Sequence, residues 1–159
     1  MEERTTMNIP VIALRGLTVF PDLTLSFDVE REISIYALDS AMEGDRTIFL
    51  VTQREIATTA PTEEDLYTVG TVCRILQILK TSETSVRVIV EGQQRARIHR
   101  LWQNKPFLQA NVELLEEDFP GRMTPRMEAL IRQTYVIFGE YKELVPNLTD
   151  DFVSAVLDC

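Results

Sequence analysis

With one histidine and two cysteines among its 159 residues, the chain has very little from which to build a metal centre or a thiol-based catalytic site. A zinc site needs roughly three or four convergent nitrogen, sulfur or oxygen ligands, and Cys73, His99 and Cys159 lie far apart in sequence. The six glycines are dispersed and no GxxxxGKS or GxxxxGKT run occurs, which excludes a phosphate-gripping nucleotide loop. No apolar run approaches the roughly 18 residues that cross a bilayer. The opening MEERTTMNIP has neither a basic-then-apolar signal design nor the Arg-rich, acid-poor character of an import sequence. Positive charge is also scarce: 16 Lys and Arg face 25 Asp and Glu, a net charge of -9. Long-range attraction to nucleic acid or to an anionic membrane is therefore weak, and neither is an expected partner.

What is present is a globular pattern. Hydrophobic residues make up 45% of the chain and recur along nearly its whole length, as in one ordinary domain with a small attachment. IPVIALRGLTVFPDLTLSFDV reads as short strands punctuated by Gly16 and Pro21-Asp22. Within it Leu25, Phe27 and Val29 alternate with Thr24, Ser26 and Asp28. The period changes in REISIYALDSAM, where Ile33, Tyr36, Ala37 and Ala41 fall at helical spacing and Ser34, Asp39 and Ser40 lie off the stripe. This predicts a helix ending near Glu43-Gly44 and covering one face or opening of a sheet. A strand over residues 47–51 follows, then a surface loop over 57–66 in which Thr62 to Asp65 form a short capped turn. VGTVCRILQIL, SVRVIVEG and QRARIHRLWQ predict three sequential antiparallel strands, the last two separated at Gly92, and PFLQANVELLEE a further one. Beyond Pro120-Gly121, helical spacing runs over 124–145, with Thr124 as cap and Pro125 at the first helical position. Pro146-Asn147 stops it, and Thr149 caps a last helix with Phe152, Val153, Val156 and Leu157 on its apolar face. That face meets the end of the sequence at once, as in a segment cut from something longer. The expected architecture is a twisted, partly closed antiparallel β body containing one helix, followed by helices.

No credible active site emerges. Cys73 sits among apolar residues that raise a thiol pKa, so a Cys73–His99 dyad, the basis of a small hydrolase, is disfavoured. Cys73 reads as a buried free thiol in a reducing compartment, Cys159 as an unpaired terminal one, and His99 as a solvent-facing strand residue. Lys80, Lys105 and Lys142 occupy polar contexts that would not depress an amine pKa. Glu63-Glu64-Asp65 and Glu116-Glu117-Asp118 read as solvated charge runs. No catalytic residue and no metal ligand are assigned. Binding surfaces fare better. Trp102 and Phe107 flank the turn Gln103-Asn104-Lys105, where two rings either anchor an extended peptide or close the end of the β body. Leu17 or Phe20 is expected to be exposed beside the Gly16 turn. An open sheet edge would add backbone pairing that is largely independent of client sequence.

IPVIALRGLTVFPDLTLSFDV followed by REISIYALDSAM, and VGTVCRILQILKTSETSVRVIVEGQQRARI, resemble the Lon protease amino-terminal domain family. The likeness is most evident at Val69-Gly70-Thr71, Ile75-Leu76 and Val90-Glu91-Gly92 with Arg95, and it covers residues 9 to 157. The chain departs from the family pattern at Ala13, at Thr24-Leu25 and at Glu83-Thr84. The resemblance implies a mainly β fold with α: an antiparallel pseudo-barrel domain over 8–118, then a truncated helical subdomain over 123–159. It also implies non-catalytic recognition and holding of unfolded or damaged protein for an ATP-dependent Lon-type serine protease in the bacterial cytoplasm rather than the mitochondrial matrix. ATP, magnesium and a hexameric ring would belong to the parent protein, with no cofactor in these residues. The alternative is a structural or regulatory module that supports ring assembly or gating without touching clients. Arg15, Phe20, Pro21, Glu91, Gly92 and Arg95 match family motif positions and are assigned structural roles. Leu17, Phe20, Trp102 and Phe107 are the candidate substrate contacts.

Overall fold

The computed structural model describes residues 5–116 and 121–157. The chain divides into two compact units, Met1–Glu116 and Glu117–Cys159. In the first unit β1 (Thr6–Leu14) is followed by β2 (Thr24–Val29), α1 (Glu32–Glu43), β3 (Thr47–Thr52), β4 (Val69–Lys80), β5 (Val86–Gln103) and β6 (Leu108–Leu114).

The strands form one six-stranded sheet in the order β2-β5-β4-β3-β1-β6, with a further pairing between β5 and β6. This corrects the expected antiparallel pseudo-barrel. β1 and β3 are parallel, with Val11 opposite Phe49 and Ala13 opposite Val51, so the sheet is mixed. The chain reaches the far edge as β2 and returns through α1, a helical crossover of the kind that parallel neighbours require. Among the described residues β2 is bonded to β5 alone, so the sheet keeps an open edge instead of closing into a barrel in which every strand has two neighbours.

A second correction concerns Gly92, which does not separate two strands. β5 runs unbroken for 18 residues, pairing with β2 and β4 through its first part and with β6 from Ala96 onward. Register shifts between Ile98 and Arg100 and between Leu101 and Gln103 bend it where it meets β6.

Side-chain alternation places two cores on the two faces of the sheet. Ile12, Leu14, Ile48, Leu50, Cys73, Ile75, Val88 and Val90 join Ala37, Leu38 and Ala41 of α1 in one cluster. Ile9, Val11, Ala13, Phe49, Val51, Val72, Ala96 and Ile98 join Leu108, Ala110 and Val112 in the other. Burial on both faces explains why IPVIAL and IFLV are continuous apolar runs and not alternating ones. In α1 the buried stripe is Ser34, Ala37, Leu38 and Ala41, offset from the expected one. Ser34 is small enough to pack, while Tyr36 lies outside and donates its hydroxyl to Glu32 at 2.8 Å. The 62–65 turn forms as a one-turn helix. Asp65 accepts from the Thr62 N–H and hydroxyl, which holds its carboxyl below the usual aspartate range.

The second unit contains α2 (Pro125–Leu144) and α3 (Asp150–Leu157). Thr124 accepts from the Met127 N–H at 3.2 Å and Pro125 opens the helix, as the capping pattern requires. Leu130, Ile131, Val136, Ile137, Tyr141 and Leu144 are all exposed on α2, whereas Val153 of α3 is buried. Glu117, Asp118, Pro120 and Cys159, and the side chain of Phe152, lie outside the described residues.

Candidate functional site

The loop over residues 15–23, between β1 and β2, is tied to the sheet along its length. Gly16 has φ 64, a left-handed conformation that costs glycine little, and it turns the chain out of β1. Thr52 donates its hydroxyl to the Leu17 carbonyl at 2.7 Å, and Thr71 donates to the Val19 carbonyl at 2.7 Å. Pro21 followed by Asp22 at φ 62 matches the proline-then-left-handed sequence of a type II turn. The Asp22 N–H donates to the Gly92 carbonyl and the Gly92 N–H to the Leu23 carbonyl, each at 2.9 Å. Gly92 is thus a site of close backbone approach. A Cβ there would overlap the Phe20 carbonyl oxygen and lie 2.9 Å from its carbon.

On this fastened loop Leu17 is half-buried against the α1-side core, whereas Phe20 is 51% exposed. Trp102, near the end of β5, is 47% exposed. Phe107 is half-buried and packs against the same core cluster as Leu17. The hairpin that joins Trp102 to Phe107 is held by Gln103, whose amide donates to the Phe107 carbonyl at 3.0 Å. The four candidates therefore separate into two exposed rings and two side chains that lean on one core. Among the described residues no ring contact links Phe20 to Trp102.

The motif residues have separate settings. Arg15 is exposed and donates to the Thr58 carbonyl at 3.1 Å. Pro21 is half-buried beside Gly92. Glu91 is exposed and faces Thr24 on β2. Arg95 is exposed opposite Thr71 on β4, and its carbonyl accepts from the Leu115 N–H at 2.9 Å.

Cys73 and His99 do not form a reactive pair. Cys73 is fully buried, its sulfur 3.5 Å from the Thr71 carbonyl, and burial pushes its thiol pKa up to about 12. His99 is at the surface with Nε2 3.0 Å from Glu113 Oε2. Among the described residues no three His, Cys, Asp or Glu side chains converge to hold a metal. In a Cys159→Ser background the remaining thiol is expected to resist a thiol-directed reagent in native buffer and to react fully in denaturant. Native-state labelling within minutes at neutral pH would show the burial to be wrong.

Sequence reasoning missed Arg31. It occupies the N-cap of α1, and its guanidinium reaches the Gln53 Oε1 at 2.8 Å and the Ala13 carbonyl. A cavity of about 280 Å³ opens there, lined by Arg31 and Arg15 together with Leu14, Leu17 and Phe27. A signal was available: a cation at a helix N-terminus opposes the macrodipole, and such a placement calls for a reason.

Comparison with known proteins supplies the family. Residues 8–158 match the model of the ATP-dependent protease La (LON) substrate-binding domain. The Lon protease of Escherichia coli K12 is 38% identical over 155 residues, covering 98% of this chain and 20% of that protein. Lon protease 1 of Bacillus subtilis 168 is 35% identical over 158 residues, covering 99% and 20%. The Lon protease of Clostridioides difficile 630 is 35% identical over 153 residues, covering 94% and 19%. The chain thus spans about a fifth of the length of these bacterial relatives. Its fold is similar to the N-terminal domain of a Mycobacterium avium complex Lon protease, with a TM-score of 0.61 at 19% identity over 95% of this chain and 81% of that one. It is also similar to a Lon N-terminal domain protein from Xanthomonas campestris, with a TM-score of 0.63 at 14% identity over 83% and 73%. The chain therefore belongs to the family of ATP-dependent protease La (LON) substrate-binding domains, the non-catalytic, substrate-recognising part of that enzyme as distinct from its protease domain.

Proposed function

We propose that this domain holds unfolded or damaged polypeptide for a Lon-type protease, with Phe20 and Trp102 as the exposed apolar contacts. Leu17 and Phe107 shape the surface from beneath. The observation that carries the reading is Phe20: a half-exposed ring on a loop whose backbone is hydrogen-bonded to β3, β4 and β5. A ring held on a rigid support binds with little loss of conformational entropy. In this reading residues 8–118 form the holding unit and residues 123–159 a helical attachment. Arg15, Pro21, Glu91, Gly92 and Arg95 keep the loop and the β5 ladder in place. ATP and magnesium serve a separate ATPase domain of the parent, which works as a hexamer in the bacterial cytoplasm. Contacts that are weak singly then gain from the local concentration of a ring of modules.

Titration of the chain with a fluorescent, unfolded casein-like client tests this. The double variant Phe20→Ala, Trp102→Ala is expected to bind roughly tenfold more weakly, in line with the weight that aromatic anchors carry at interfaces. Its circular dichroism should match that of the unmodified chain. Unchanged affinity, or chemical-shift changes confined to residues 150–159, would favour the alternative in which the domain only positions subunits.

A further inference from the structure

Arg31 is a half-buried cation without a carboxylate partner among the described residues. Its acceptors are neutral, the Gln53 amide oxygen and the Ala13 carbonyl. Burial lowers the Arg31 pKa, and the positive charge of Arg15 lowers it further. Buried charges in proteins are normally paired. Here two arginines line one cavity in a chain whose net charge is -9. The acidic residues on the cavity wall do not complete a pair. Asp28 is engaged by Arg87 through two hydrogen bonds, 2.8 and 2.9 Å, and Glu30, also on the wall, is exposed and makes no ion pair with Arg31 among the described residues. Glu32, in the first turn of α1, accepts from Tyr36. Among the described residues no side chain caps α1, so the orphan N–H groups of its first turn add positive potential at the same end.

The rest of the wall is apolar. Leu14, Leu17 and Phe27 face a space of about 280 Å³. That is at the small end of ligand pockets, which run from roughly 300 Å³ upward. It accommodates one or two amino-acid residues. A ligand that fits must carry an anion and an apolar group within that short reach. An internal Asp or Glu offers the anion on a short stem, but its chain must both enter and leave the pocket. A chain end only enters, and one terminal residue supplies the carboxylate and the apolar side chain together.

We propose that the cavity between β1, the end of β2 and the start of α1 binds the free C-terminal carboxylate of a client polypeptide ending in an apolar residue. Arg31 and Arg15 take the carboxylate, and Leu14, Leu17 and Phe27 take the last side chain. Arginine suits this role because its planar fork matches a carboxylate bidentately. The proposal rests on the substrate-holding reading and gives it a site that recognises chain ends, separate from the ring contacts at Phe20 and Trp102.

The test is fluorescence anisotropy on the 159-residue chain with a labelled hexapeptide that ends in leucine as the free acid, and with the same peptide amidated. The acid is expected to bind at least tenfold more tightly than the amide. That preference should collapse in Arg31→Gln and weaken in Arg15→Gln. Arg15 is exposed, so the second variant and the acid–amide comparison on the unmodified chain remain informative even where Arg31→Gln fails to fold. Equal binding of acid and amide overturns the proposal, as does a preference that survives both substitutions. An amidated peptide with an internal glutamate that binds as tightly as the free acid overturns the choice of the chain end. The casein-like client, titrated in parallel, separates the two readings. Client binding without an acid preference removes the pocket and leaves the ring contacts. An arginine-dependent acid preference without client binding leaves the pocket and removes the holding role.

Discussion

Replacing Phe49 by alanine is expected to cost about 4 kcal/mol of stability, within the range for deleting a buried phenylalanine side chain. Phe49 lies in the middle of β3 with no exposed surface, between its parallel neighbour β1 and its antiparallel neighbour β4. Its ring also fills the space that the missing side chain of Gly70 leaves on β4, where a Cβ would stand 2.6 Å from the ring carbon Cζ. Neighbouring strands pin the backbone on both sides, so the surroundings have little freedom to collapse into the vacated volume. The cavity term then adds to the lost transfer energy. Urea unfolding followed by circular dichroism should show a lower midpoint at an unchanged slope. Phe49→Leu should cost much less, because it removes volume without emptying the site. A Phe49→Ala loss below about 1 kcal/mol, the scale of surface substitutions, would place this ring outside the core.

Local chemistry was legible in the sequence wherever one element settled the matter alone. The Thr124-Pro125 cap, the Thr62–Asp65 turn, the alternation over Leu25, Phe27 and Val29, and the burial of Cys73 all stand in the structure as the residues imply. What failed depended on partners distant in sequence. The parallel pairing of β1 with β3 follows from where α1 returns the chain, and strand pattern alone does not distinguish parallel from antiparallel neighbours when both faces are buried. In the sequence Gly92 reads as a strand break because glycine usually punctuates. Its role is set by the Phe20–Pro21 backbone some seventy positions earlier in sequence. The expected helix stripe leaves out Ser34 because serine is polar, whereas its small side chain is buried in α1 with Ala37, Leu38 and Ala41. Of the four candidate contacts, Phe20 and Trp102 are exposed, whereas Leu17 and Phe107 lean on the core, a difference that the residue types alone do not reveal. Arg31 carries no periodic signal; its place at a helix N-terminus is the one cue in the sequence, and only the fold brings Arg15, Leu17 and Phe27 around it.

Gly92→Ala is expected to cost about 3 kcal/mol, at the upper end for forcing one extra carbon into a packed site, and to weaken client binding several-fold. The added methyl would collide with backbone, not with the movable tip of a side chain. That backbone is held in place by the Asp22–Gly92 and Gly92–Leu23 hydrogen bonds and by the Thr71 hydroxyl on Val19. The strain therefore has to be relieved by lifting the 19–23 segment off β5, which moves Phe20. A stability loss alone would not show this, so a matched control is needed. Gly70→Ala places its Cβ 2.5 Å from the Leu50 carbonyl oxygen and against the Phe49 ring. It should destabilise to a similar degree without touching the Phe20 loop. Measured well below both unfolding midpoints, Gly92→Ala should lose client affinity while Gly70→Ala stays within about twofold of the unmodified chain. The two glycines lie on neighbouring strands, Gly70 opposite Ala96 and Gly92 opposite Cys73, so a general loosening of the β4–β5 ladder would weaken binding in both variants alike. A loss in Gly92→Ala alone assigns the effect to the loop that presents Phe20. Full affinity in Gly92→Ala would mean that clients bind elsewhere.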